Sequence, residues 1–215
     1  MARRDGRIPE HSESDRELLE AHLLQNVGTP AEPAPQVHLE GLVVEHLWYA
    51  LTASYAGALG VPLRVEEPSW SVTDAGLDGL AIYRPQADLV FRLWELKWHG
   101  TDAPVRGTVA LACNQLKSRA LKYLARHAKL RENEPDPELL QLYVQMPELW
   151  VDVDDRAGAG VGVATAAEPD LDRAFDPVAA VLPFTQAAQR EGLVAEIPEF
   201  GAFAELVRED LWKGL

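Results

Sequence analysis

Apolar residues recur every three or four positions in two long stretches, Gln36–Leu59 and Gly107–Arg131, and this spacing predicts two long helices. Gly60 and Pro62 stand where the first of these helices should end, because neither residue continues a helix well. Three shorter helices are predicted towards the two ends of the chain, at Glu17–Gln25, Phe184–Gly192 and Phe200–Leu215.

Between and after the long helices lie short runs rich in branched and aromatic residues, which is typical of strands. Arg84 and Pro85 form a turn between two of these runs, so the two should pair as a hairpin. The predicted strands are Leu63–Glu67, Trp70–Val72, Asp78–Tyr83, Leu89–Trp98, Leu139–Met146 and Gly160–Ala166. Helices that alternate with strands in this order predict an α/β fold, a mixed β-sheet flanked by helices.

The start of the chain has a different character from the rest. Residues 1–16 are polar and charged, and Gly28–Pro35 contains three prolines in eight residues, which predicts an extended linker. We therefore expect an N-terminal segment, residues 1–35, made of an arm, a short helix and a proline-rich linker. Residues 36–215 are long enough to form one domain with its own core.

The candidate chemistry lies in the predicted hairpin. Side chains alternate along a strand, so Glu95 and Lys97 face one side while Leu96 faces the other. If Asp78 begins the antiparallel partner strand, its carboxylate can approach Glu95. Two carboxylates and the Leu96 backbone carbonyl would make an oxygen-rich site suited to Mg²⁺ or Mn²⁺. Lys97 would then orient an attacking water and offset charge that develops on a phosphoryl group.

A Glu-x-Lys tripeptide is also common as a solvated ion pair on an edge strand. Here, however, Glu95 and Lys97 lie inside VFRLWELKW, where apolar residues flank them on both sides. Burying a charge in such a strand is unfavourable by roughly several kcal/mol unless the charge is paired or bound to a metal. The setting therefore favours a functional site over a surface pair.

With Asp78 in GLDG, Glu95 and Lys97 in WELKW, and this order of elements, the chain resembles the PD-(D/E)xK nuclease superfamily. The resemblance implies a restriction-endonuclease-like mixed β-sheet flanked by helices. It also implies an endonuclease or exonuclease that hydrolyses DNA, in which the aspartate and glutamate bind magnesium and the lysine serves the nucleophilic water. Small nucleases of this kind often act in restriction or antiviral defence, which is the biological role that the resemblance suggests.

The same resemblance adds two residues on the helices that flank the hairpin. Many members place a metal-binding glutamate on the helix before the motif, and Glu45 matches that place; the alternative is an ordinary paired helix glutamate. The exonuclease-like branch carries a catalytic glutamine on the helix after the motif, followed four residues later by tyrosine. Gln115 matches this glutamine, but Arg119 follows it and Tyr123 comes one turn later, so the match is partial.

Charge is distributed unevenly along the chain. The formal net charge is -14, which argues against a protein that coats nucleic acid non-specifically. Yet six of the twenty Lys and Arg residues fall between Lys117 and Arg131, where no acidic residue occurs. A basic helix directly after the candidate strand would hold a phosphate backbone locally, although a solvated helix face gives the same pattern. The candidate DNA-binding residues are Lys117, Arg119, Lys122 and Arg126.

Several other residues in the hairpin have less specific explanations. Trp94 and Trp98 share the face of Leu96 and are expected in the core rather than as platforms for stacking bases. His99 is expected to be structural, with a phosphate contact as the alternative.

The remaining features concern location and partners. Cys113 is the only cysteine and no apolar run approaches the length of a membrane span, so we expect a cytoplasmic protein. The chain has no ATP-binding loop, which makes a helicase or ATPase subunit, or a second copy of the chain, an expected partner. The rival hypothesis is a non-catalytic interaction subunit with a nuclease-like fold.

Overall fold

The computed structural model describes residues 21, 24–68, 78–100 and 103–214. The predicted arm of residues 1–16 and the strand Trp70–Val72 lie outside these residues, as does most of the predicted helix Glu17–Gln25. The main helices and strands are α1 (Gln36–Ser54), β1 (Arg64–Glu66), β2 (Gly79–Tyr83), β3 (Val90–His99), α2 (Val105–Leu130), α3 (Pro137–Val151), β4 (Ala159–Thr165), α4 (Asp176–Val181), β5 (Arg190–Glu196) and α5 (Phe200–Gly214).

The strands form one open, mixed sheet in the order β1-β2-β3-β4-β5. β1, β2 and β3 pair antiparallel, whereas β3, β4 and β5 run parallel. Parallel neighbours need long connections, and the helices between them supply these. The predicted α/β class, a mixed sheet flanked by helices, is confirmed. No helix in the described part of the chain is long and apolar enough to cross a membrane.

The central strand β3 contributes to two separate cores, because its side chains alternate between the two faces of the sheet. Phe91 and Leu93 belong to a core that α2, α3 and α4 cover. Trp94 and Leu96 belong to the core on the opposite face, which α1 and α5 cover. The sequence of β3 is apolar on both sides for this reason.

Two glycines in β4 make room for these β3 side chains. A Cβ at Gly160 would lie 2.3 Å from the Trp94 ring, and a Cβ at Gly162 would lie 2.5 Å from a Leu96 methyl group. Both glycines lie on the same face of β4, so the tryptophan and the leucine can lean across the neighbouring strand. The GVGV sequence of β4 is therefore explained by packing.

The predicted strand Leu139–Met146 is wrong, because this segment is part of the helix α3. Asp136 caps the helix by accepting hydrogen bonds from the backbone N–H groups of Glu138 and Leu139. Pro137 fits the first turn, where its missing N–H is not needed. The segment is apolar enough to suit either structure, and its buried residues recur at helical spacing: Leu139, Leu142, Tyr143, Met146, Leu149 and Trp150.

The predicted helix Phe184–Gly192 is also wrong. A single 3₁₀ turn, Ala187–Gln189, leads directly into the strand β5, which pairs in parallel with β4 along its whole length. The backbone of β5 takes its hydrogen bonds from a strand about thirty residues earlier, and local periodicity carries no information on such a partner. The helix α4, which the sequence did not indicate, precedes this turn.

The proline-rich stretch is not the extended linker that the sequence predicts, because it is folded against α5. Gly28 and Pro33 form a β-bridge around a tight turn, in which Gly28 takes a φ of 74°. The Trp212 side chain donates a hydrogen bond to the Gly28 carbonyl, and Arg208 donates to the Ala34 carbonyl. Contacts from a helix near the end of the chain therefore fix the position of this stretch.

Candidate active site

The hairpin of β2 and β3 brings together the three residues that the sequence singled out. Asp78 directly precedes β2, and its Oδ2 accepts a 2.6 Å hydrogen bond from the backbone N–H of Leu96. Lys97 Nζ lies 2.5 Å from Glu95 Oε1 and 3.6 Å from Asp78 Oδ2. One ammonium group therefore bridges two carboxylates, on the face of the sheet that α2 covers.

The Glu95 carboxylate is buried and only partly satisfied. Its side chain is 1% exposed, and Oε2 has no hydrogen-bond partner among the described residues. A buried carboxylate oxygen without a donor is unfavourable by about 1–3 kcal/mol, or more because it is charged. Such an atom calls for an explanation, and a cation bound to the carboxylate would be one.

Burial and like charge act together on the pKa values at this site. Burial, followed by the charge of Asp78, raises the pKa of Glu95 to about 7, although Lys97 and Arg119 oppose the rise. Burial also raises the pKa of Asp78, against the effects of Lys97, the Leu96 N–H and Arg119. Burial would lower the pKa of Lys97, but the carboxylates outweigh it and raise that pKa above its usual range.

Glu45, on α1, interacts electrostatically with Asp78, Lys97 and Glu95. Burial raises its pKa to about 9, and Asp78 and Glu95 add to the rise while Lys97 opposes it. Three carboxylates therefore share the nearby positive charge of one lysine. The structure brings Glu45 into the electrostatic field of the hairpin, as the resemblance implied, and its role as a metal ligand stays a prediction.

The Leu96 backbone also points towards Asp78. Leu93 N–H donates to the Gly158 carbonyl on the β4 side, so the backbone groups of the even-numbered residues face β2. N–H and C=O of one strand residue point to the same neighbour, and the Leu96 N–H is held by Asp78. The Leu96 carbonyl, the predicted fourth oxygen, therefore lies along the same edge of β3 as the Asp78 carboxylate.

A stripe of α2 faces this cluster. Gln115, Arg119 and Tyr123 are four residues apart, so they lie on one side of the helix. Arg119 acts on the pKa of both Asp78 and Glu95, and burial followed by the charges of Glu66 and Asp78 raises the pKa of Tyr123. Gln115 Oε1 is buried and has no hydrogen-bond partner among the described residues.

The four candidate DNA-binding residues do not all lie on one side of α2. Arg119, Lys122 and Arg126 are three and four residues apart and share the stripe of Gln115, and all are exposed. Lys117 is also exposed but lies about 160° around the helix from Arg119. The basic stripe beside the carboxylates therefore consists of Arg119, Lys122 and Arg126.

A second buried charge cluster, which sequence reasoning missed, lies between β1, α2 and α3. Glu66 accepts hydrogen bonds from the Tyr143 hydroxyl and from Arg131, and His127 Nε2 lies 3.7 Å away. Burial alone would raise the pKa of Glu66, but these partners outweigh it and lower the pKa to about 2. The residues lie 61 or more positions from Glu66 along the chain, and no spacing rule connects them.

The other hairpin residues are structural, as expected. His99 is buried, with Nδ1 2.7 Å from Thr108 Oγ1 and Nε2 2.7 Å from the Ala103 carbonyl. Trp94 lies in the core beside Trp48, and Trp98 stacks on Phe200 with 4.3 Å between the ring centroids. None of these three residues of β3 is available to a substrate on the α2 side.

The carboxylate cluster suits a hard cation but is not a closed metal cage. Asp78 and Glu95 provide oxygen donors, one of them without a partner, which fits Mg²⁺ or Mn²⁺. Among the described residues, however, no three His, Cys, Asp or Glu side chains are close enough together to hold one ion as they stand. The Lys97 ammonium is the cation that bridges the two carboxylates. No protein-family model and no curated protein sequence matches the chain.

Proposed function

We propose that this chain is a metal-dependent nuclease that hydrolyses DNA phosphodiester bonds. The observation that carries the proposal is the buried Glu95 carboxylate, with one oxygen on Lys97 and the other without a partner, beside Asp78 and within the field of Glu45. Clustered carboxylates that raise one another's pKa, with a lysine among them, are more typical of a catalytic site than of a stabilising ion pair.

Asp78, Glu95, Glu45 and the Leu96 carbonyl would hold Mg²⁺ or Mn²⁺. When bound, the ion supplies a Lewis acid that polarises the phosphate and lowers the pKa of a water molecule. The raised pKa values of Glu45 and Glu95 mean that burial and the neighbouring carboxylates disfavour the charged forms, and a bound divalent cation would offset this repulsion.

The remaining residues act on the substrate and on the attacking water. Lys97, held beside Glu95 and Asp78, would position this water and offset the charge that grows on the phosphoryl oxygens. Gln115 presents a buried amide oxygen that can accept a hydrogen bond from the same water. Arg119 and the rest of the basic stripe would hold the DNA backbone over the site.

The charge distribution sets limits on how DNA is bound. With a net charge of -14, the protein would attract DNA only at the basic stripe of α2. A partner such as a helicase or ATPase subunit would deliver the strand. The resemblance to small nucleases of restriction and antiviral defence makes such a role the proposed biological context.

Nicking of supercoiled plasmid DNA by the purified full chain, with Mg²⁺ or Mn²⁺ and with EDTA, tests this proposal. We expect divalent-dependent nicking that falls by about 10²–10³-fold or more in Asp78→Ala and in Lys97→Ala. Lys213→Ala on α5, an exposed lysine paired with Asp210, is the matched control and should retain full activity. Nicking that survives both site variants would overturn the assignment.

A non-catalytic interaction subunit is the second candidate, and the lack of a closed cage in the described part of the chain favours it. The two candidates differ in their response to Mn²⁺. A nuclease should bind Mn²⁺ in isothermal titration calorimetry, and Asp78→Ala should abolish that binding. A chain that folds normally but binds no divalent ion would support the interaction subunit.

A further inference from the structure

The two edges of the sheet differ in how they are protected. β1 has three residues, and its Glu66 is held by Tyr143 and Arg131 from the neighbouring helices. β5 has seven residues, Arg190–Glu196, and none of them is fully buried. In the described part of the chain, no strand pairs with the outer side of β5. A long exposed edge of this kind presents backbone groups to which another strand can add.

The pairing of β5 with β4 determines which backbone groups of β5 face outward. Ile197 N–H donates a hydrogen bond to the Thr165 carbonyl of β4, so the backbone groups of the odd-numbered residues face β4. The backbone groups of the even-numbered residues therefore face away from the sheet. Three even-numbered residues present both N–H and C=O groups that are hydrogen-bonded to none of the described residues: Gly192, Val194 and Glu196.

The middle of β5 lacks the features that protect edge strands from pairing. The segment Gly192–Ala195 contains no proline and no charged residue. Gly192 is exposed, and Leu193 and Val194 are half-buried. β5 pairs with β4 along its whole length, so its backbone is already extended and held in place. The outer edge is therefore preorganised for another strand.

The two ends of β5 carry opposite charges. Arg190 begins the strand and Glu196 ends it, and neither forms an ion pair with a described residue. The Arg190 guanidinium donates an exposed 3.4 Å hydrogen bond to the Thr185 carbonyl, and Glu196 is exposed. If two copies of β5 run antiparallel about a two-fold axis at Leu193, Arg190 of each copy lies opposite Glu196 of the other. The strand is therefore complementary in charge to a second copy of itself.

We propose that two copies of the chain pair through β5, antiparallel about a two-fold axis at Leu193, and form one continuous sheet. In this register Gly192 lies opposite Val194 of the second copy. Both residues have outward-facing N–H and C=O groups, so they can exchange hydrogen bonds. The Glu196 N–H reaches the Arg190 carbonyl of the second copy, while the Arg190 N–H stays bonded to the Ala187 carbonyl of its own chain.

The backbone and the charges select the same axis. The outward-facing residues meet one another in this register, and the two opposite charges lie directly across from each other at both ends. The proposal does not depend on the nuclease proposal, because β4 separates β5 from the strand that carries Glu95.

Size-exclusion chromatography with light scattering tests the proposal on the full chain, at concentrations from about 1 µM to about 100 µM. We expect a species of twice the 23.7 kDa chain mass that dissociates on dilution. Val194→Pro should be a folded monomer, because it removes an outward-facing N–H and leaves the hydrogen bonds to β4 intact. Val194→Thr keeps the N–H and the branched side chain, so this matched control should dimerise as the unmodified chain does.

Two results would overturn the proposal. A monomer at every concentration would leave this edge to a different partner. A dimer that is equally stable in a folded Val194→Pro variant would place the interface elsewhere on the molecule.

Exchange of the end charges tests the register and does not require that Val194→Pro folds. Arg190→Glu and Glu196→Arg should each weaken the dimer by about ten-fold or more, because like charges then lie opposite each other. The double variant, with both substitutions, should restore dimerisation. A double variant that dimerises as weakly as the single variants would overturn the proposed pairing.

Cross-linking locates the two-fold axis. Leu193→Cys should form a disulfide between the two copies on mild oxidation, because facing residues of this kind have Cα atoms about 4.5 Å apart. Ala195→Cys, on the same face of β5, is the matched control, since it lies opposite Glu191 of the second copy and should not cross-link. Faster cross-linking of Ala195→Cys than of Leu193→Cys would contradict an axis at Leu193.

Discussion

Two buried glutamates in the same sheet, Glu66 and Glu95, have opposite electrostatic environments. Both are almost fully buried, at 4% and 1% exposure. Around Glu66 a tyrosine, an arginine and a histidine outweigh the effect of burial, and the pKa falls to about 2. Around Glu95 burial and neighbouring carboxylates outweigh the single lysine, and the pKa rises to about 7.

This difference is the one that we expect between a charge that stabilises the fold and a charge in an active site. At Glu66 both carboxylate oxygens accept hydrogen bonds, one from Tyr143 and one from Arg131. The cluster therefore joins β1 to α2 and α3 and favours the folded state. At Glu95 the fold retains a buried carboxylate with a partnerless oxygen and like charges nearby. Burial alone therefore identifies neither role, and the balance of partners does.

The largest expected effect is on catalysis. If the nuclease proposal holds, Glu95→Gln should lower plasmid nicking by about 10³-fold, because it removes a charge from the proposed metal site while keeping the shape of the side chain. Glu66→Gln should leave the rate per folded molecule unchanged. Equal losses in the two variants, at equal folded fraction by circular dichroism, would remove the distinction between the clusters.

The next largest effect is on stability, and here Glu66→Gln should have a larger effect than Glu95→Gln. Glu66→Gln should lower the free energy of unfolding by about 3 kcal/mol, because Arg131 and His127 lose the carboxylate that they surround. Glu95→Gln should leave stability unchanged or raise it by about 1 kcal/mol, since it removes buried like charge. Urea unfolding at pH 7 measures both changes, and a destabilised Glu95→Gln would contradict the comparison.

The two glutamates should also give opposite dependences of stability on pH. The pKa of Glu66 lies below its ordinary value of 4.5, so the unfolded chain binds the proton first and stability falls as pH decreases from about 4.5 to about 2. The pKa of Glu95 lies above 4.5, so the folded chain binds more protons between about 4.5 and about 7. Stability therefore falls as pH increases through that window.

Urea unfolding from pH 2 to pH 8 separates the Glu95 contribution from that of Glu66. Glu95→Gln should flatten the curve in the range between about 4.5 and 7, by at most about 1.4 kcal/mol per pH unit. Glu66→Gln should leave this part of the curve unchanged and flatten it below pH 4.5. Parallel curves for the unmodified chain and Glu95→Gln would show that Glu95 titrates normally.

The smallest expected effect is on DNA binding by the basic stripe beside the Glu95 cluster. Arg119→Gln should weaken DNA binding several-fold and reduce the salt dependence by about one unit of slope, because one phosphate contact is lost. Lys117→Gln removes the same charge from the opposite flank of α2 and should change neither quantity. Fluorescence anisotropy with labelled DNA at several salt concentrations compares the two variants. Equal effects of the two substitutions would contradict the proposed role of the basic stripe in DNA binding.

Local patterns were sufficient for the parts of the site that lie in one strand. Alternation along β3 placed Glu95 and Lys97 on one face, and the turn after β2 brought Asp78 beside them. The sequence predicts Arg119 only as a DNA-binding residue, and its effect on the carboxylates depends on how α2 crosses the sheet. Glu66 could not be linked to its partners, because its arginine, histidine and tyrosine come from two later helices.

The amino-acid order fixed whatever depends on neighbours along the chain: the long helices α1 and α2, the buried hairpin, and the pairing of Glu95 with Lys97. The folded chain settled what depends on distant partners. An apolar segment became α3 rather than a strand because helices and sheet bury it, and β5 formed because β4 offered a parallel edge. The pKa of each carboxylate also depends on the tertiary structure, because charge acts through space and the groups that raise or lower the pKa come from separate helices and strands.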